Sequence, residues 1–548
     1  MSSQDEVAPD APSRAVSQSA WAPFASRAFV WLWLANTVSA LGTWIQNAAS
    51  AWIMTDLAPS PIMVSLVQTA AQLPVLLLAL PAGAIADLMD RKRLLIVTNM
   101  LMLAASAVLA IVAAMGHVDP AMLLVLTVLL AVGAALNGPA WAASVPLTVP
   151  RQSLAQALVL NAVGFNIARA IGPAIGGVIL AVAGATIAFA ANAASFAFVA
   201  LVVGVFLTFP RKQATTDVPP EPFQSAMRMG LAYALHEPVV RSTLVRSAAF
   251  FGCASAIWAL LPLYVRQVLG LSSASFGLMM GVIGTGAVLG GLIMPALNRL
   301  FPRNNLIFLA GVACGLSLVP LAIVPSATVA YAALFVFGIG WIVGASNLQA
   351  TVQLAAAPWV RARALALYQA IFNGAMGIGA LLWGWLGDYA SLKGTILAAG
   401  ISGVGIALLT RAIQLPAEID DPSASAITEP PVLSIAEEMT PLLHSARNPL
   451  RAAVSYHVDP SDAEAFRAAM AEVRLSRYRD GAVGWALSRD VSDPTHWVET
   501  FVIRDWHELQ RGIERLNLAD SEAVVRARGY HRGKELPRVT LLLQDRNS

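Results

Sequence analysis

The 548-residue sequence predicts an all-α integral membrane protein of twelve transmembrane helices in two six-helix halves, followed by a small α+β domain. The first reason is composition: 57% of the residues are hydrophobic and 12% are charged, which leaves too little polar surface for a soluble protein. The second is a series of apolar runs between Ala28 and Pro416, each long enough to cross a bilayer. The third is one long polar break, from Arg211 to Arg246, halfway through that series.

The N-terminal segment, residues 1–27, is polar and contains Asp5, Glu6 and Asp10 as well as Arg14. A secretory signal begins with a short basic region instead, so we expect this segment to be retained as a cytoplasmic tail. After it, each stretch of roughly 20 apolar residues can form one helical crossing. The predicted spans are 28–54, 61–88, 93–116, 119–143, 153–182, 185–209, 244–268, 272–297, 304–324, 326–350, 360–388 and 391–415.

The polar break divides these spans into two bundles. Residues 28–209 form the first bundle, 210–243 a cytoplasmic central loop, and 244–415 the second bundle. A shift of about 210 residues aligns Arg151 and the helix after it with Arg361 and the helix after that, as expected of a parallel repeat. Transporters built this way bind substrate between the halves, so the repeat predicts a site at their interface.

The distribution of basic residues predicts the orientation. With the N-terminus in the cytoplasm, the outer loops hold only Arg266 and Lys393, and all other loop arginines and lysines fall at the inner face. Because positive charge is retained on the cytoplasmic side, we expect a multi-pass protein of the inner membrane with both termini cytoplasmic.

A motif between the second and third spans carries a family resemblance. The segment from Gly83 to Arg93 has Gly83, Asp87, Arg91 and Lys92 at the spacing of the GxxxDRxGRR signature, and it resembles that of the major facilitator superfamily. Leu88 and Asp90 stand where the signature has Arg and Gly. We expect Asp87 to reach the positive N-terminal end of helix 11 near Trp359 when the inner side closes. The alternative is that Arg91, Lys92 and Arg93 only fix the topology.

The fifth span contains Gly172, Pro173, Gly176 and Gly177, with small residues along one face. This segment resembles the GP motif of the superfamily's efflux antiporters, which implies export and proton antiport. The alternative is close helix packing of the kind that small residues allow in any membrane bundle.

Polar residues inside the spans are the candidate substrate contacts. Arg169 is a basic residue deep within a span, where a charge is costly and a functional role is the default hypothesis. The amides and hydroxyl that could share a cavity with it are Asn36, Thr43, Asn47, Asn161, Asn166, Gln369 and Asn373. Each of these could instead hydrogen-bond between helices. The candidate for proton coupling is Asp56, at the outer end of the first span.

The segment from Asn36 to Asn47, followed by Trp52, resembles the superfamily branch that contains enterobactin-type siderophore exporters. Drug and metabolite exporters share this branch. The resemblance therefore implies a small amphiphilic substrate without naming it.

The tail is predicted to form a flexible linker, residues 416–448, and a folded domain, residues 449–548. Alternating and helical patterns give the order β-α-β-β-α-β with one extra helix. This order resembles the ferredoxin-like fold of dimeric α/β-barrel proteins, which include small monooxygenases. Four histidines, His457, His496, His507 and His531, lack metal-ligand spacing. We expect a regulatory or self-associating module without catalytic residues or metal.

Together these features predict a secondary active transporter that exports a small amphiphilic molecule by alternating access, through proton-coupled antiport. The sequence lacks GxxxxGK[ST], so ATP is not expected to drive it, and no cofactor is expected. The net charge of +3 gives no reason to expect a nucleic-acid partner. Three alternatives remain: an importer, a membrane-anchored enzyme acting through the tail, and a sensor that binds ligand without moving it.

Overall fold

The computed structural model describes residues 19–207, 223–413, 415, 437–439, 441, 443, 448–515 and 518–543. Within these ranges the side chains of residues 80, 84, 87, 88, 223–226, 437, 513–515 and 518–521 are not described. Most of the predicted N-terminal tail and linker, and the first part of the predicted central loop, lie outside the described residues.

Eleven helices in the described part of the chain are long and apolar enough to span a membrane. They are α1 (Arg27–Leu57), α2 (Pro61–Leu88), α3 (Arg91–Ala114), α4 (Pro120–Ser144), α5 (Leu154–Phe206), α7 (Pro238–Gln267), α8 (Ser273–Leu300), α9 (Arg303–Ile323), α10 (Ala327–Ala355), α11 (Arg361–Tyr389) and α12 (Leu392–Arg411). A shorter helix, α6 (Phe223–His236), lies between the two groups.

Helix α5 accounts for two crossings. Its 53 residues would be about 80 Å long, more than twice the hydrocarbon thickness. The helix is broken at Gly184, whose φ of 77° and ψ of 178° are non-helical and in a region that favours glycine. The two arms, 154–183 and 185–206, bring the number of crossings to twelve, and the predicted fold class is confirmed.

Local sequence signals explain where several helices begin. The side chains of Ser60, Asp90, Asp119 and Ser391 each accept a hydrogen bond from a backbone N–H in the first turn of the following helix. Such N-caps satisfy donors that have no partner inside the helix. The span boundaries are therefore set by loop chemistry as well as by hydrophobic length.

The two halves meet where helix backbones approach closely. A Cβ added to Gly177 on α5 would lie 2.5 Å from the Cα of Gly277 on α8, so both positions require glycine. On the neighbouring seam, Thr69 of α2 donates a hydrogen bond to the carbonyl of Gly377 on α11 at 2.9 Å. Near these contacts Arg266 of α7 forms an ion pair with Asp56 of α1. We call this region, defined by Gly177, Gly277, Asp56 and Arg266, the closed end.

The C-terminal domain has a four-stranded antiparallel sheet in the order β2-β3-β1-β4. Its elements are β1 (Leu450–His457), α13 (Ala463–Arg479), β2 (Val483–Arg489), β3 (His496–Ile503), α14 (Trp506–Arg515), α15 (Leu518–Gly529) and β4 (Arg538–Leu543). This confirms the small α+β domain.

A buried carboxylate organises the polar part of that domain. Glu499 accepts hydrogen bonds from Arg477 Nε and Trp485 Nε1, each at 3.1 Å, and from the Tyr456 hydroxyl at 3.3 Å. Burial, together with the neighbouring Glu499 charge, raises the pKa of Tyr456 above its ordinary value. The glutamate is thus balanced by an arginine inside the domain, which favours a structural role.

The C-terminal domain packs against α6 and the start of α7. Arg479 pairs with Glu237 at 2.5 Å, and Arg228 with Glu508 at 3.5 Å. The rings of Tyr478 and His236 lie 4.9 Å apart between these pairs. Burial raises the pKa of Glu508. The contact therefore joins the soluble domain to the second half of the bundle.

The α6 helix in turn contacts the segment that connects α10 to α11. The Tyr233 hydroxyl donates to the carbonyl of Ala355 at 3.1 Å and accepts from the backbone N–H of Ala357 at 3.1 Å. Its ring packs edge to face on Trp359, with 5.7 Å between centroids. Both backbone groups lie at helix termini, where they would otherwise lack partners.

The docking contact predicts the outcome of a charge exchange. Arg479→Glu or Glu237→Arg alone should weaken docking by about 1–3 kcal/mol, since a largely buried charge loses its partner, and the double exchange should restore it. The measurement is the disulfide yield between cysteines placed at His236 and Tyr478, with Cys253 and Cys314 replaced.

Arg526→Glu is the matched control, because Arg526 pairs with Glu472 on the exposed surface of the same domain. Equal disulfide yields in the wild type and in both single variants would show that this pair does not hold the domain.

The glycine contact predicts a steric effect. Gly177→Ala should destabilise this arrangement of the halves by about 1–3 kcal/mol, because the added methyl group meets the α8 backbone. We expect a lower thermal midpoint for the purified protein. Gly405→Ala is the control, since a Cβ there has no neighbouring atom within 4 Å. Identical midpoints for the two variants would contradict the close approach of α5 and α8.

Candidate functional site

A cavity of about 300 Å³ lies between the two halves. The first arm of α5 forms one wall through Asn166, Arg169 and Pro173, and α7, α8 and α10 form the other. Gly284 of α8 packs against the backbone of Ala170, where an added Cβ would lie 2.7 Å from the Ala170 Cα, whereas an added Cβ on Gly291 would meet no atom within 4 Å. The cavity therefore occupies the interface at which the sequence predicts the binding site.

Arg169 stands at the middle of its span. It lies midway between Leu154 and Gly184, about 22 Å along the helix from each. The side chain is half-buried, and it has no hydrogen-bond or ion-pair partner among the described residues. Of the described residues that line the cavity, it is the one that carries a charge.

Pro173 follows Arg169 by one helical turn. Proline has no N–H, so the carbonyl of Arg169 loses the donor that an ordinary helix would supply. The interruption falls at the cavity wall. Broken helical hydrogen bonding is tolerated at this depth only where the backbone faces protein or a cavity, and this position satisfies that condition.

The opposite wall is aromatic. The rings of Trp258 on α7 and Trp341 on α10 lie 5.3 Å apart, and Trp44 of α1 lies 6.4 Å from Trp258. The indole N–H groups of Trp258 and Trp341 are buried and have no hydrogen-bond acceptor among the described residues. The cavity thus has a cation on one wall and aromatic rings on the other.

The other predicted polar contacts are distributed differently. Asn36 donates to the side chain of Asn161 at 3.1 Å, which joins α1 to α5. Thr43 and Asn373 donate to carbonyls one turn earlier in their own helices, at 2.9 and 2.6 Å. The side chains of Asn47 and Gln369 are exposed. Of the eight predicted contacts, Asn166 and Arg169 line the cavity.

The motif between α2 and α3 is described in part. Asp90 caps α3 by accepting a hydrogen bond from the N–H of Arg93 at 2.9 Å. Arg91 and Lys92 donate to backbone carbonyls of α4 and of the residue after α5, at 3.5 and 3.0 Å. A Cβ at Gly83 would meet no atom within 4 Å. The side chain of Asp87 lies outside the described residues, so its predicted latch stays a prediction.

The helix 5 motif contacts two neighbours. A Cβ at Gly172 would lie 2.6 Å from Trp44 Cβ, and one at Gly176 would lie 3.0 Å from Ile45 Cα, both on α1. Gly177 faces α8 instead. The motif therefore packs α5 against α1 of the same half through Gly172 and Gly176, and against α8 of the other half through Gly177.

Sequence reasoning missed two groups of residues. Trp258, Trp341 and Ser346 line the cavity, but aromatic and hydroxyl residues are common in spans and give no local signal. The sequence analysis did not predict that Arg246 of α7 is buried, and in the structure it donates to Asn304 and to the carbonyl of Ile413. Its position eight residues after Pro238 is the signal that could have shown this.

The described residues contain no group of three His, Cys, Asp or Glu side chains that could hold a metal ion. In the C-terminal domain, His531 uses Nδ1 to accept from the N–H of His457 and contacts the Glu535 carbonyl through Nε2. Both ring nitrogens are thereby engaged in the fold.

Comparison with known proteins shows which family this chain resembles. A sequence model of the transmembrane secretion effector family matches residues 18–548. A staphyloferrin A transporter of Staphylococcus aureus is 26% identical over 280 residues, which is 51% of this chain and 69% of that protein. The multidrug efflux pump Tap of Mycobacterium tuberculosis is 27% identical over 412 residues, covering 72% of this chain and 96% of the pump.

Solved structures support the fold alone, because their sequence identities are low. A POT family transporter in complex with 5-aminolevulinic acid has a TM-score of 0.58 at 11% identity, with 70% of this chain and 95% of that one covered. A bacterial homologue of the iron transporter ferroportin has a TM-score of 0.55 at 14% identity, with 71% and 97% covered. The chain therefore belongs to the transmembrane secretion effector family of the major facilitator superfamily, and like its relatives it is a membrane transporter of small molecules rather than an enzyme.

Proposed function

We propose that this protein exports a small amphiphilic molecule, such as a siderophore, drug or metabolite, across the inner membrane by alternating access. The observation that carries the proposal is the cavity between the halves, with Arg169 at the middle of its span. A site at the midplane can be exposed to either side when the halves rock about it. We further propose that both termini are cytoplasmic, which makes the closed end the outer end.

Two observations favour export over import. The packing of Gly172, Pro173, Gly176 and Gly177 against α1 and α8 is consistent with the resemblance to efflux antiporters. The similar Mycobacterium tuberculosis protein is described as a multidrug efflux pump. Under this proposal the substrate enters from the cytoplasmic side and leaves when the closed end opens.

Proton antiport is proposed with Asp56 as the coupling group. Asp56 pairs with Arg266 across the two halves, and its side chain is 49% exposed. Protonation would remove the attraction between these side chains and so weaken the closed end. A proton from outside could in this way promote the opening that releases substrate.

The remaining parts of the proposal concern the inner side and the tail. Gly83, Asp87, Asp90, Arg91, Lys92 and Arg93 would form the contact that closes the inner side, opposite the N-terminal end of α11. Self-association through the C-terminal domain is proposed as a second role of that domain, and light scattering of the purified protein with and without residues 449–548 tests it.

Transport in energised inverted vesicles tests direction and site together. A panel of dyes, drugs and siderophores should show uptake that an uncoupler abolishes. Arg169→Ala should reduce this uptake at least about tenfold, because a charged hydrogen-bond donor to the substrate is lost. Arg299→Ala is the control, since it removes an exposed arginine from the end of α8.

Accumulation in right-side-out vesicles instead would identify an importer. Substrate binding without flux in either orientation would identify a sensor.

Asp56→Asn separates coupling from binding. We expect the variant to lose uptake driven by a pH gradient and to keep exchange of labelled for unlabelled substrate, because exchange needs no net proton movement. Asp119→Asn is the control, since Asp119 caps α4 and asparagine caps equally well. Normal gradient-driven uptake by Asp56→Asn would remove Asp56 as the coupling group.

A further inference from the structure

The cavity contains a positive charge that the described protein does not neutralise. Arg169 lines it without an ion-pair or hydrogen-bond partner among the described residues. The other interior arginine, Arg246, shows the contrast: it lies 2% exposed and donates to the side chain and the carbonyl of Asn304 and to the carbonyl of Ile413. The fold thus supplies oxygen acceptors to Nη1 and Nη2 of Arg246, while its Nε has no partner among the described residues, and it leaves Arg169 facing the cavity.

The hydrogen-bonding capacity of the cavity wall is also unbalanced. Arg169, the charged residue of the lining, has hydrogen-bond donors only. The side chains of Asn166 and Ser346 supply the acceptor oxygens of the lining. A ligand that fits this wall brings acceptors, and an ionised carboxylate or sulfonate offers acceptors alone.

The rest of the wall is apolar. Met280, Ile283 and Ile342 surround the two indole rings in a space of about 300 Å³. That volume suits a small molecule with a ring-containing body. Indole faces alone would also attract a cation, but a second positive charge in this space is repelled by Arg169 at low dielectric.

We infer that the transported substrates are organic anions, each with an apolar, ring-containing body packed against the wall that contains Trp258 and Trp341, and a carboxylate or sulfonate bound by Arg169. The inference deepens the proposed function and rests on it, because the cavity serves transport only if the halves alternate. The positive charge of Arg169 also disfavours binding of cationic drugs. Arg169 is the selectivity residue in this site.

Binding is measured separately from flux, on the full-length protein in phosphatidylcholine nanodiscs. The probes share one body and differ in charge: 2-naphthoate, 2-naphthamide and 2-naphthyltrimethylammonium, each labelled and followed by equilibrium dialysis against empty nanodiscs. We expect naphthoate to bind at least about tenfold more tightly than the amide, and the ammonium compound to bind least. Adding phosphatidylglycerol to the discs shows whether a lipid headgroup competes for the same anion site.

Substitutions assign the preference to named residues. Arg169→Gln should remove the advantage of naphthoate over naphthamide, and Arg169→Lys should keep most of it, since lysine preserves the charge. Trp258→Phe and Trp341→Phe replace an indole by a smaller ring and leave Arg169 in place, so each should weaken naphthoate and naphthamide by a similar factor. Arg299→Gln is the control outside the cavity.

The outcomes distinguish this inference from the proposed function. Equal binding of the three probes by the wild type, or an unchanged preference in Arg169→Gln, would overturn the anion assignment even if vesicles transport other compounds. Preferential naphthoate binding that depends on Arg169, without flux in vesicles, would support the site and contradict transport. If Arg169→Gln does not fold, the relative affinities of the wild type for the three probes still show whether the site prefers anions.

Discussion

The approach of α5 and α8 at Gly177 and Gly277 determines where the two halves can meet, and the position of the cavity between them depends on it. No side chain separates the two backbones there. Two turns earlier on α5, Ala170 packs against Gly284 of α8, and Arg169 lines the cavity next to this contact. Small residues thus keep α5 and α8 in close contact along this seam, from the closed end to the edge of the cavity.

Placing a cation in that space is costly, and the surrounding structure shows how the cost is met. Arg169 lies in a cavity at the interface and not against lipid, so water or a ligand can solvate it. Pro173 frees a backbone carbonyl in the same turn. A charge and aromatic surface converge on this cavity. At the closed end the halves are joined by the partly exposed ion pair of Asp56 and Arg266 and by the close approach of Gly177 and Gly277.

Much of this architecture could be predicted from the sequence because bilayer thickness, charge bias and chain periodicity are strong constraints. The twelve crossings and the α+β domain follow from them, and Gly184 interrupts α5 between the fifth and sixth predicted spans. The cavity walls were harder to predict. Trp258 and Trp341 come from helices far apart in the chain, and nothing in either local sequence distinguishes a cavity tryptophan from a packing one.

The amides show the same limit: Asn36 donates a hydrogen bond to Asn161, whereas Asn166, on the same helix as Asn161, lines the cavity. Which role an amide takes depends on tertiary neighbours that periodicity does not encode. The ion pair of Arg479 with Glu237 could not be predicted for a related reason. In the sequence both residues resemble ordinary surface charges, and only the position of the C-terminal domain brings them together.

The separation of Asp56 from Arg169 has a consequence for coupling under the proposed function. No acidic side chain is among the described residues that line the cavity, so proton and substrate would not compete for one group. They would instead act on the same interface from different positions, the proton by removing an ion pair at the closed end and the substrate by neutralising Arg169 between the halves. Coupling of this kind is a free energy between sites, and it requires only that both ligands change the relative stability of the same two states. Because Asp56 and Arg266 belong to different halves, as do Arg169 and Trp341, the geometry meets that requirement.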